Sequence, residues 1–352
     1  MRKKRDNQAE KIVLVENNFM KILYTLVSSE TDYYCEQALI SMMSAKYHMP
    51  NCFISILMDK DTEKTLTGAR ATIYDYIDEK NFFTLDKSLT QMQKSRWLKT
   101  SMRNLIDGDF LYVDVDTVFA APIDESLFTN DVMGVPDGNC LLKEHPLKDF
   151  IEGNLKKLHF DNNSKYQINS GVLFFKDSPL AHSFAECWHK RWHECCLKGV
   201  FIDQPALHQA IVDSGCILKL LPDCMNAQFG RNINTLAKGV ILHYYSSWSG
   251  NSVYKPAYKF LQTDFLNDFR FNPKSDYFQN FIHNPKEAFN SDSFVLGTAN
   301  SHLWNLLQMA MSKDRADQRL YNFLKKQNAI LIKFYYQMIK CFFPIKKFFQ
   351  NK

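Results

Sequence analysis

The residues with the clearest chemical potential are two aspartates, Asp114 and Asp116, which follow an apolar run that begins at Phe110. The run is typical of a buried central strand, and open α/β sheets bind ligands beyond the carboxyl ends of such strands. Two neighbouring carboxylates repel each other unless a positive charge lies between them, and oxygen ligands favour Mn2+ or Mg2+. The pair therefore predicts a divalent-cation site that would hold a diphosphate.

A solvated strand edge is the alternative interpretation of the same pair. Alternation would place Asp114 and Asp116 on one side of an extended chain, and Asp-x-Asp is a short and common pattern. The strongly apolar strand before the pair, together with further polar sites downstream, favours the metal site.

The elements that must position these aspartates alternate between strands and helices. In the first half we predict strands at 21–28, 52–58, 82–85 and 110–115, and helices at 31–47, 65–78 and 90–106. In the second half we predict strands at 131–135, 168–175 and 240–245, and helices at 179–196 and 203–212. The alternation predicts right-handed βαβ units and an α/β fold, with a mostly parallel sheet flanked by helices.

With 352 residues, 45% of them hydrophobic, the chain is long and apolar enough for a large α/β domain, which excludes a disordered protein. Its nine cysteines form no Cys-x-x-Cys pair, and polar residues between Glu16 and Lys21 interrupt any signal peptide. We therefore expect reduced thiols in a cytoplasmic protein. No window reaches the roughly 18 uncharged apolar residues of a membrane-spanning helix.

We divide the sequence into four regions: a basic N-terminal segment (1–20), an α/β domain (21–250), an irregular to helical extension (251–315) and a basic aromatic tail (316–352). The tail mixes aromatic and aliphatic residues with lysines from Lys325 to Lys347. Such segments bind anionic membrane surfaces, which predicts a peripheral contact at the inner face of the membrane. A C-terminal helix packed on the domain, with its lysines outward, is the alternative.

Four further polar sites lie at the ends of predicted elements. They are Arg96 on the helix before the aspartates, the polar turn Asn169-Ser170-Gly171, the helix start Asp203-Gln204 and the strand end His243. Each alone has a structural alternative: a surface arginine, a turn, a helix cap and a core histidine, respectively. Their order along the chain favours a functional interpretation.

A second cluster, from Cys187 to Cys196, places His189 and His193 on one helix face, as in zinc proteases. The order is His-x-x-x-His-Glu rather than His-Glu-x-x-His, so Glu194 is misplaced for catalysis. We therefore interpret this cluster as structural.

The ordered sites resemble those of the GT-A glycosyltransferases, and of glycosyltransferase family 8 most closely, over about residues 21 to 245. In that family an Asp-x-Asp is followed by an Asn-(Ala/Ser)-Gly-Val strand, an Asp-Gln and a histidine. The resemblance implies a Rossmann-like GT-A domain that moves a hexose from a nucleotide-diphosphate sugar, such as a UDP-sugar, to a saccharide, with retention of anomeric configuration. The hypothesised acceptor is a cell-surface glycan, free or lipid-linked, and no nucleic acid is involved.

The resemblance also implies roles for individual residues. It implies Mn2+ or Mg2+ as the cofactor, with Asp114, Asp116 and His243 as its ligands. It implies donor contacts from Thr25, Val27, Arg96, Asp114, Val115, Asp137, Asn169, Ser170, Asp203 and Gln204. Asp203 and Gln204 are the catalytic candidates, although an amide is a poor nucleophile. A dication and a guanidinium suit such a site because both stabilise charge on the leaving phosphate.

The sequence departs from this family in two places. The acidic residue expected directly after the first strand is delayed to Asp32, and Tyr244-Tyr245-Ser246 begins where family members often have Gly-x-x-Lys-Pro-Trp. The departures leave a second class open, a non-catalytic, membrane-associated protein with a degenerate nucleotide-sugar-binding fold. A sugar-nucleotide pyrophosphorylase is disfavoured, because residues 27–32 contain no glycine.

Overall fold

The computed structural model describes residues 20–145, 147–161, 163–228, 233–244 and 259–286. The strands are β1 (Lys21–Leu26), β2 (Phe53–Asp59), β3 (Glu79–Phe83), β4 (Phe110–Val113), β5 (Thr117–Phe119), β6 (Val132–Pro136), β7 (Ile168–Phe175), β8 (Lys219–Leu220), β9 (Ala227–Gln228) and β10 (Ile241–His243). The helices are α1 (Tyr34–His48), α2 (Lys60–Thr65), α3 (Gln91–Ser101), α4 (Lys148–Leu158), α5 (Pro179–Leu197), α6 (Gln204–Asp213), α7 (Ile233–Lys238), α8 (Thr263–Phe271) and α9 (Asp276–His283).

Seven strands form the main sheet, in the order β3-β2-β1-β4-β7-β6-β8. Strand β1 pairs in parallel with β2 and β4, and β2 pairs in parallel with β3, while β7 runs antiparallel to both β4 and β6. Strands β5, β10 and β9 form a second, smaller sheet. The predicted α/β fold with a mostly parallel sheet is confirmed.

Both faces of the main sheet are covered, as its continuously apolar strands require. Successive residues of β1 point to opposite faces. Ile22 and Tyr24 join the apolar cluster that contains α1, and Leu23 joins the cluster that contains α5. Helices therefore flank the sheet on both sides, as predicted.

The helix predicted at 65–78 is shorter in the structure and is a 3-10 helix instead of an α-helix. The Asp59 side chain accepts from the backbone N–H of Thr62 and caps α2, which begins at Lys60. Gly68 then has a φ of +57°, and a 3-10 helix follows at Gly68–Tyr76.

The third strand ends at Phe83 instead of residue 85, and β4 ends at Val113, where the chain turns. The sequence does not predict α4 or the short strands β5, β8 and β9.

The described part of the C-terminal extension packs on the α/β domain. Phe265 and Phe269 of α8, and Phe278 and Phe281 of α9, are buried in the same cluster as α1. Residues 1–19 and the predicted tail at 316–352 lie outside the described residues. Among the residues that are described, no helix combines the length and the apolar character needed to cross a bilayer.

A buried ion network joins α1, the loop after β1 and α8. Arg70 Nε donates to Glu36 Oε1 at 2.8 Å, and Arg270 Nε donates to the same oxygen at 2.7 Å. Both arginines also donate to the backbone carbonyl of Asp32. Glu36 is 2% exposed and Arg70 is 6% exposed, so neither charge is solvated. The network therefore holds the loop that follows β1.

We expect Arg70→Met to lower the free energy of unfolding by about 3 kcal/mol, because it leaves the buried Glu36 carboxylate with less compensation. Urea unfolding followed by circular dichroism measures the change. Lys64→Met is the matched control, since it removes only an exposed pair with Asp61 and should have little effect. Equal effects of the two substitutions would contradict a stabilising role for the buried network.

The histidine cluster on α5 makes packing contacts. His189 Nδ1 lies 2.7 Å from Thr100 Oγ1, and His189 Nε2 lies 3.1 Å from His193 Nε2. The His189 ring also meets Trp97 edge-on, with ring centroids 5.5 Å apart. Burial, and to a lesser extent His193, lowers the pKa of His189 from 6.5 to about 4. These contacts agree with the structural interpretation of the cluster.

The lowered pKa of His189 predicts a loss of stability in acid. As the pH falls from 6.5 toward about 4, the unfolded chain takes up a proton that folded His189 resists, so the free energy of unfolding decreases. His189→Gln should flatten this pH dependence. Thermal melts across this pH range give the comparison, and parallel curves for the wild type and His189→Gln would contradict the assignment.

Candidate functional site

The two aspartates of the Asp-x-Asp lie in the turn between β4 and β5. Strand β5 pairs antiparallel with β10, with Thr117 opposite His243, and the Tyr244 N–H donates to the Asp116 carbonyl at 2.9 Å. His243 Nε2 consequently lies 3.2 Å from Asp116 Oδ1 and 3.9 Å from Asp114 Oδ2. The structure thus brings the three predicted metal ligands together, although they lie far apart in the sequence.

A network of side-chain amides orients the His243 ring. His243 Nδ1 lies 3.0 Å from Asn226 Oδ1, and Asn226 Nδ2 donates to Asn169 Oδ1 at 3.0 Å. Asn169 Nδ2 in turn donates to Asp137 Oδ1 at 2.8 Å. Because an ionised carboxylate only accepts hydrogen bonds, each amide has one orientation and the proton of neutral His243 is on Nδ1. The Nε2 lone pair then faces the aspartates, as a metal ligand requires.

The electrostatics of the His243 ring follow from its carboxylate neighbours. Burial by itself lowers the pKa of His243, but the charges of Asp116 and Asp114 outweigh it and leave the pKa raised. Asp116 is 7% exposed. The alternative interpretation of the Asp-x-Asp as a solvated edge is therefore wrong for Asp116.

Two carboxylates and one imidazole are a donor set that suits Mn2+, and its oxygen ligands also suit Mg2+. The ligand atoms of Asp114, Asp116 and His243 all lie within 4.8 Å of one another. In the described part of the chain, no other group of three or more acidic, histidine or cysteine side chains converges in this way. The residues present fit a divalent cation.

Gly171 lies in a β-bulge of β7, against this site. Pairing with β6 shifts register between Gly134 and Val135. Asn169-Ser170-Gly171 lie inside β7, whose predicted bounds at 168–175 are confirmed, so the interpretation of these residues as only a turn is wrong. The Gly171 carbonyl accepts from the Asp114 N–H at 2.8 Å. A methyl group on Gly171 would overlap His243 Cε1 and lie 2.9 Å from Asp114 Oδ2. The close approach of these residues therefore requires glycine.

Two cations on α3 lie beside the aspartates. Arg96 Nε is 2.9 Å from Asp203 Oδ1, and Lys99 Nζ donates to both Asp114 oxygens, at 2.8 and 3.0 Å. Burial by itself raises the pKa of Asp203, but Lys99 and Arg96 outweigh it and hold the pKa below its ordinary value. Asp203 is therefore a buried carboxylate that is ionised at neutral pH.

The Asp-Gln pair stands at the start of α6. The Asp203 carboxylate makes no capping hydrogen bond, so its interpretation as a helix cap is wrong. It is instead hydrogen-bonded to the Ser170 side chain and forms an ion pair with Arg96. The alternative interpretation of Arg96 as a surface arginine is therefore wrong. Gln204 is the first residue of α6, and its carbonyl accepts from Gln167 Nε2 at 3.0 Å. Asp203, Ser170 and Arg96 thus form one cluster, with Gln204 next to it in the chain.

Asp137 lies at the end of the amide network opposite His243. Its Oδ1 accepts from Asn169, and its Oδ2 lies 3.2 Å from His145 Nε2. Hydrogen bonds therefore connect a predicted donor contact, Asp137, to a predicted metal ligand, His243.

Thr25 and Val27, two of the predicted donor contacts, lie at the end of β1. Thr25 and Val27 are buried, and Thr25 Oγ1 lies 3.1 Å from the Tyr112 hydroxyl, which donates to Asp114. Val115, between the two aspartates, packs partly buried against the core. Thr25 is therefore connected to the metal site through Tyr112.

Sequence reasoning misses three residues of the site: Lys99, Tyr112 and Asn226. Lys99 follows Arg96 by about one helical turn, and Tyr112 shares a strand face with Asp114, so both follow from periodicity. Asn226 has no comparable signal, because its contacts depend on the pairing of β9 with β10.

No protein-family model matches the sequence, and a search of curated proteins finds no match. Solved structures that the chain resembles include the galactosyltransferase LgtC in complex with donor and acceptor sugar analogues, at 15% identity and a TM-score of 0.46, over 71% of this chain and 96% of LgtC. Another is mouse xyloside xylosyltransferase 1 in its apo form, at 12% identity and a TM-score of 0.42, over 64% of this chain and 97% of that one. Because both identities and both TM-scores are low, an activity can be assigned only from the chain's own site residues.

We expect Gly171→Ala to weaken Mn2+ binding by more than about tenfold, because the added methyl group displaces the His243 ring from the aspartates. Titration with Mn2+ followed by electron paramagnetic resonance measures the affinity.

Gly153→Ala is the matched control. Its added methyl group would meet no atom within 4 Å, and the residue lies inside α4, so the substitution should leave Mn2+ affinity unchanged and slightly stabilise the helix. Full Mn2+ affinity in Gly171→Ala would show that the three residues are less closely packed than described.

Proposed function

We propose that the chain is a metal-dependent glycosyltransferase of the GT-A class, which moves a hexose from a UDP-sugar to a saccharide acceptor. The observation that carries the proposal is the convergence of Asp114, Asp116 and His243 beside the ion pair of Arg96 and Asp203. A cation site next to a guanidinium, at the carboxyl end of a parallel strand, suits a diphosphate ligand. The order of the sequence motifs supports the same class of enzyme.

The proposed chemistry places negative charge on the diphosphate as its bond to the sugar breaks. A dication held by Asp114, Asp116 and His243 would supply charge neutralisation for this leaving group. Arg96 supplies a fixed cation on the same side, because its planar fork can bind two phosphate oxygens. The Arg96 side chain is 24% exposed and is held by Asp203 through Nε, so it is both oriented and accessible. Preorganised charge of this kind requires no rearrangement during the reaction.

We propose that Asp137, Asn169, Ser170 and Asp203 orient the sugar. Carboxylates accept hydrogen bonds from sugar hydroxyls, while an amide or a hydroxyl donates and accepts. Gln204 follows Asp203, and its amide would lie near the anomeric carbon and position the sugar, since an amide is a poor nucleophile.

Several finer features belong to the same proposal and are supported by the motif resemblance. They are Mn2+ as the preferred ion, retention of configuration, base contacts from Thr25 and Val27, and a donor contact from Val115. The acceptor would be a cell-surface glycan, free or lipid-linked. The catalytic domain would span residues 21–250, in a cytoplasmic protein whose tail at 316–352 contacts the membrane surface.

We expect UDP to bind in the presence of Mn2+ and to lose its affinity in a chelator, as measured by titration calorimetry. Asp114→Ala combined with Asp116→Ala should weaken UDP binding by more than about 100-fold, because two of the three metal ligands are removed. Asp86→Ala combined with Asp124→Ala is the matched control, since both aspartates are exposed turn residues, and it should bind UDP normally.

The outcomes separate the two function classes. Transfer or hydrolysis of one sugar in a panel of sugar nucleotides supports the enzyme. Nucleotide binding without turnover, across donors and acceptors, would favour the non-catalytic binding protein. If neither UDP nor GDP binds with Mn2+, the proposed donor site does not exist.

A further inference from the structure

Lys99 is a buried cation to which the proposed reaction assigns no role. It is 1% exposed, and its Nζ contacts both oxygens of Asp114 and lies 3.7 Å from Asp203 Oδ2. The Tyr112 hydroxyl donates to the same Asp114 carboxylate, and Lys99 Nζ lies 5.2 Å from the centre of the Tyr112 ring. A full positive charge therefore sits between a predicted metal ligand and a predicted sugar ligand.

The charge balance of the site depends on Lys99. Asp114, Asp116 and Asp203 bring three negative charges, and Arg96 and Lys99 bring two positive ones. The metal-free site then carries one net negative charge when His243 is neutral, and it would carry two without Lys99. Because like charges repel, removal of Lys99 should push Asp114 and Asp203 apart.

Lys99 also competes with a metal ion for Asp114. Both oxygens of this carboxylate already accept from the ammonium group, at 2.8 and 3.0 Å. A dication bound to Asp114 would lie close to the Lys99 charge and be repelled by it. Affinity for cations at oxygen sites depends on the net charge of the ligands, so the lysine should reduce it.

We infer that Lys99 is the built-in counter-ion of the metal site, which keeps the site formed in the metal-free protein and lowers its affinity for a bare divalent cation. Lys99 acts through Asp114 and Asp203, and is a positioning residue. This inference rests on the proposed metal site of Asp114, Asp116 and His243.

The test uses the full chain and Mn2+ alone. Lys99→Met and Lys99→Gln remove the charge and should bind Mn2+ about tenfold more tightly, whereas Lys99→Arg keeps the charge and should stay near the wild type. Without metal, Lys99→Met should have a lower Tm than the wild type, and Mn2+ should raise its Tm by a larger increment. Lys99→Gln retains a hydrogen-bond donor. If Lys99→Met does not fold, the Mn2+ affinity and Tm of Lys99→Gln are compared with those of the wild type instead.

Lys94→Met is the matched control on the same helix. Lys94 Nζ lies 3.0 Å from both Asp59 and Asp61, outside the metal site, and its side chain is only 12% exposed. Its loss should lower the Tm without changing Mn2+ affinity. Tighter Mn2+ binding in Lys94→Met would show a general charge effect and overturn the inference.

Two further results would also decide the question. Unchanged Mn2+ affinity in both Lys99→Met and Lys99→Gln, with the wild type binding Mn2+ normally, overturns the role of Lys99 alone. Absence of Mn2+ binding by the wild type, with and without UDP, overturns the proposed metal site and the inference with it.

Discussion

Repulsion between buried carboxylates is the constraint on which the rest of this site depends. Asp114 and Asp116 lie in one turn and Asp203 lies at the start of α6; Asp116 and Asp203 are buried, and the Asp114 side chain is 25% exposed. Two of them are compensated by cations of α3, Asp203 by Arg96 and Asp114 by Lys99, while Asp116 lies beside the His243 imidazole of β10. Without such partners, the repulsion between the carboxylates would disturb the arrangement of the metal-free site. The placement of α3 and β10 is therefore as important to the site as the aspartates.

Backbone geometry provides the close approach that this compensation needs. The bulge in β7 brings Gly171 against the Asp114 turn, and the absence of a side chain there leaves room for the imidazole of His243. The small sheet holds the same imidazole from the other side through its pairing with β5. Irregular strand pairing next to a site is a recurrent way of aiming side chains. In this protein, the bulge in β7 and the pairing of β5 with β10 fix the distance between Asp114, which follows a strand of the main sheet, and His243, which lies on the small sheet.

The parts of the site that could be predicted from the sequence are those with a local signal. Asp114 follows an apolar strand and His243 ends another, so each stands where ligands bind in an open sheet. The helix expected at 65–78 begins only at Gly68, because the chain first forms α2 from the cap at Asp59 and then has a positive φ at Gly68. The role of Asn226 could not be predicted, since it arises only when β9 pairs with β10.

The antiparallel pairing of β5 with β10 has a consequence for how the protein can change over evolution. Phe119 of β5 and Ile241 and Leu242 of β10 are fully buried in the main core, directly beside the ligands that the two strands carry. A ligand that draws His243 toward the aspartates also stabilises this pairing. By linkage, the pairing strengthens binding of that ligand by the same coupling free energy, and loss of the pairing weakens the binding. Selection for binding therefore acts on these apolar residues as well, and a substitution that touches no ligand can lower the affinity of the site.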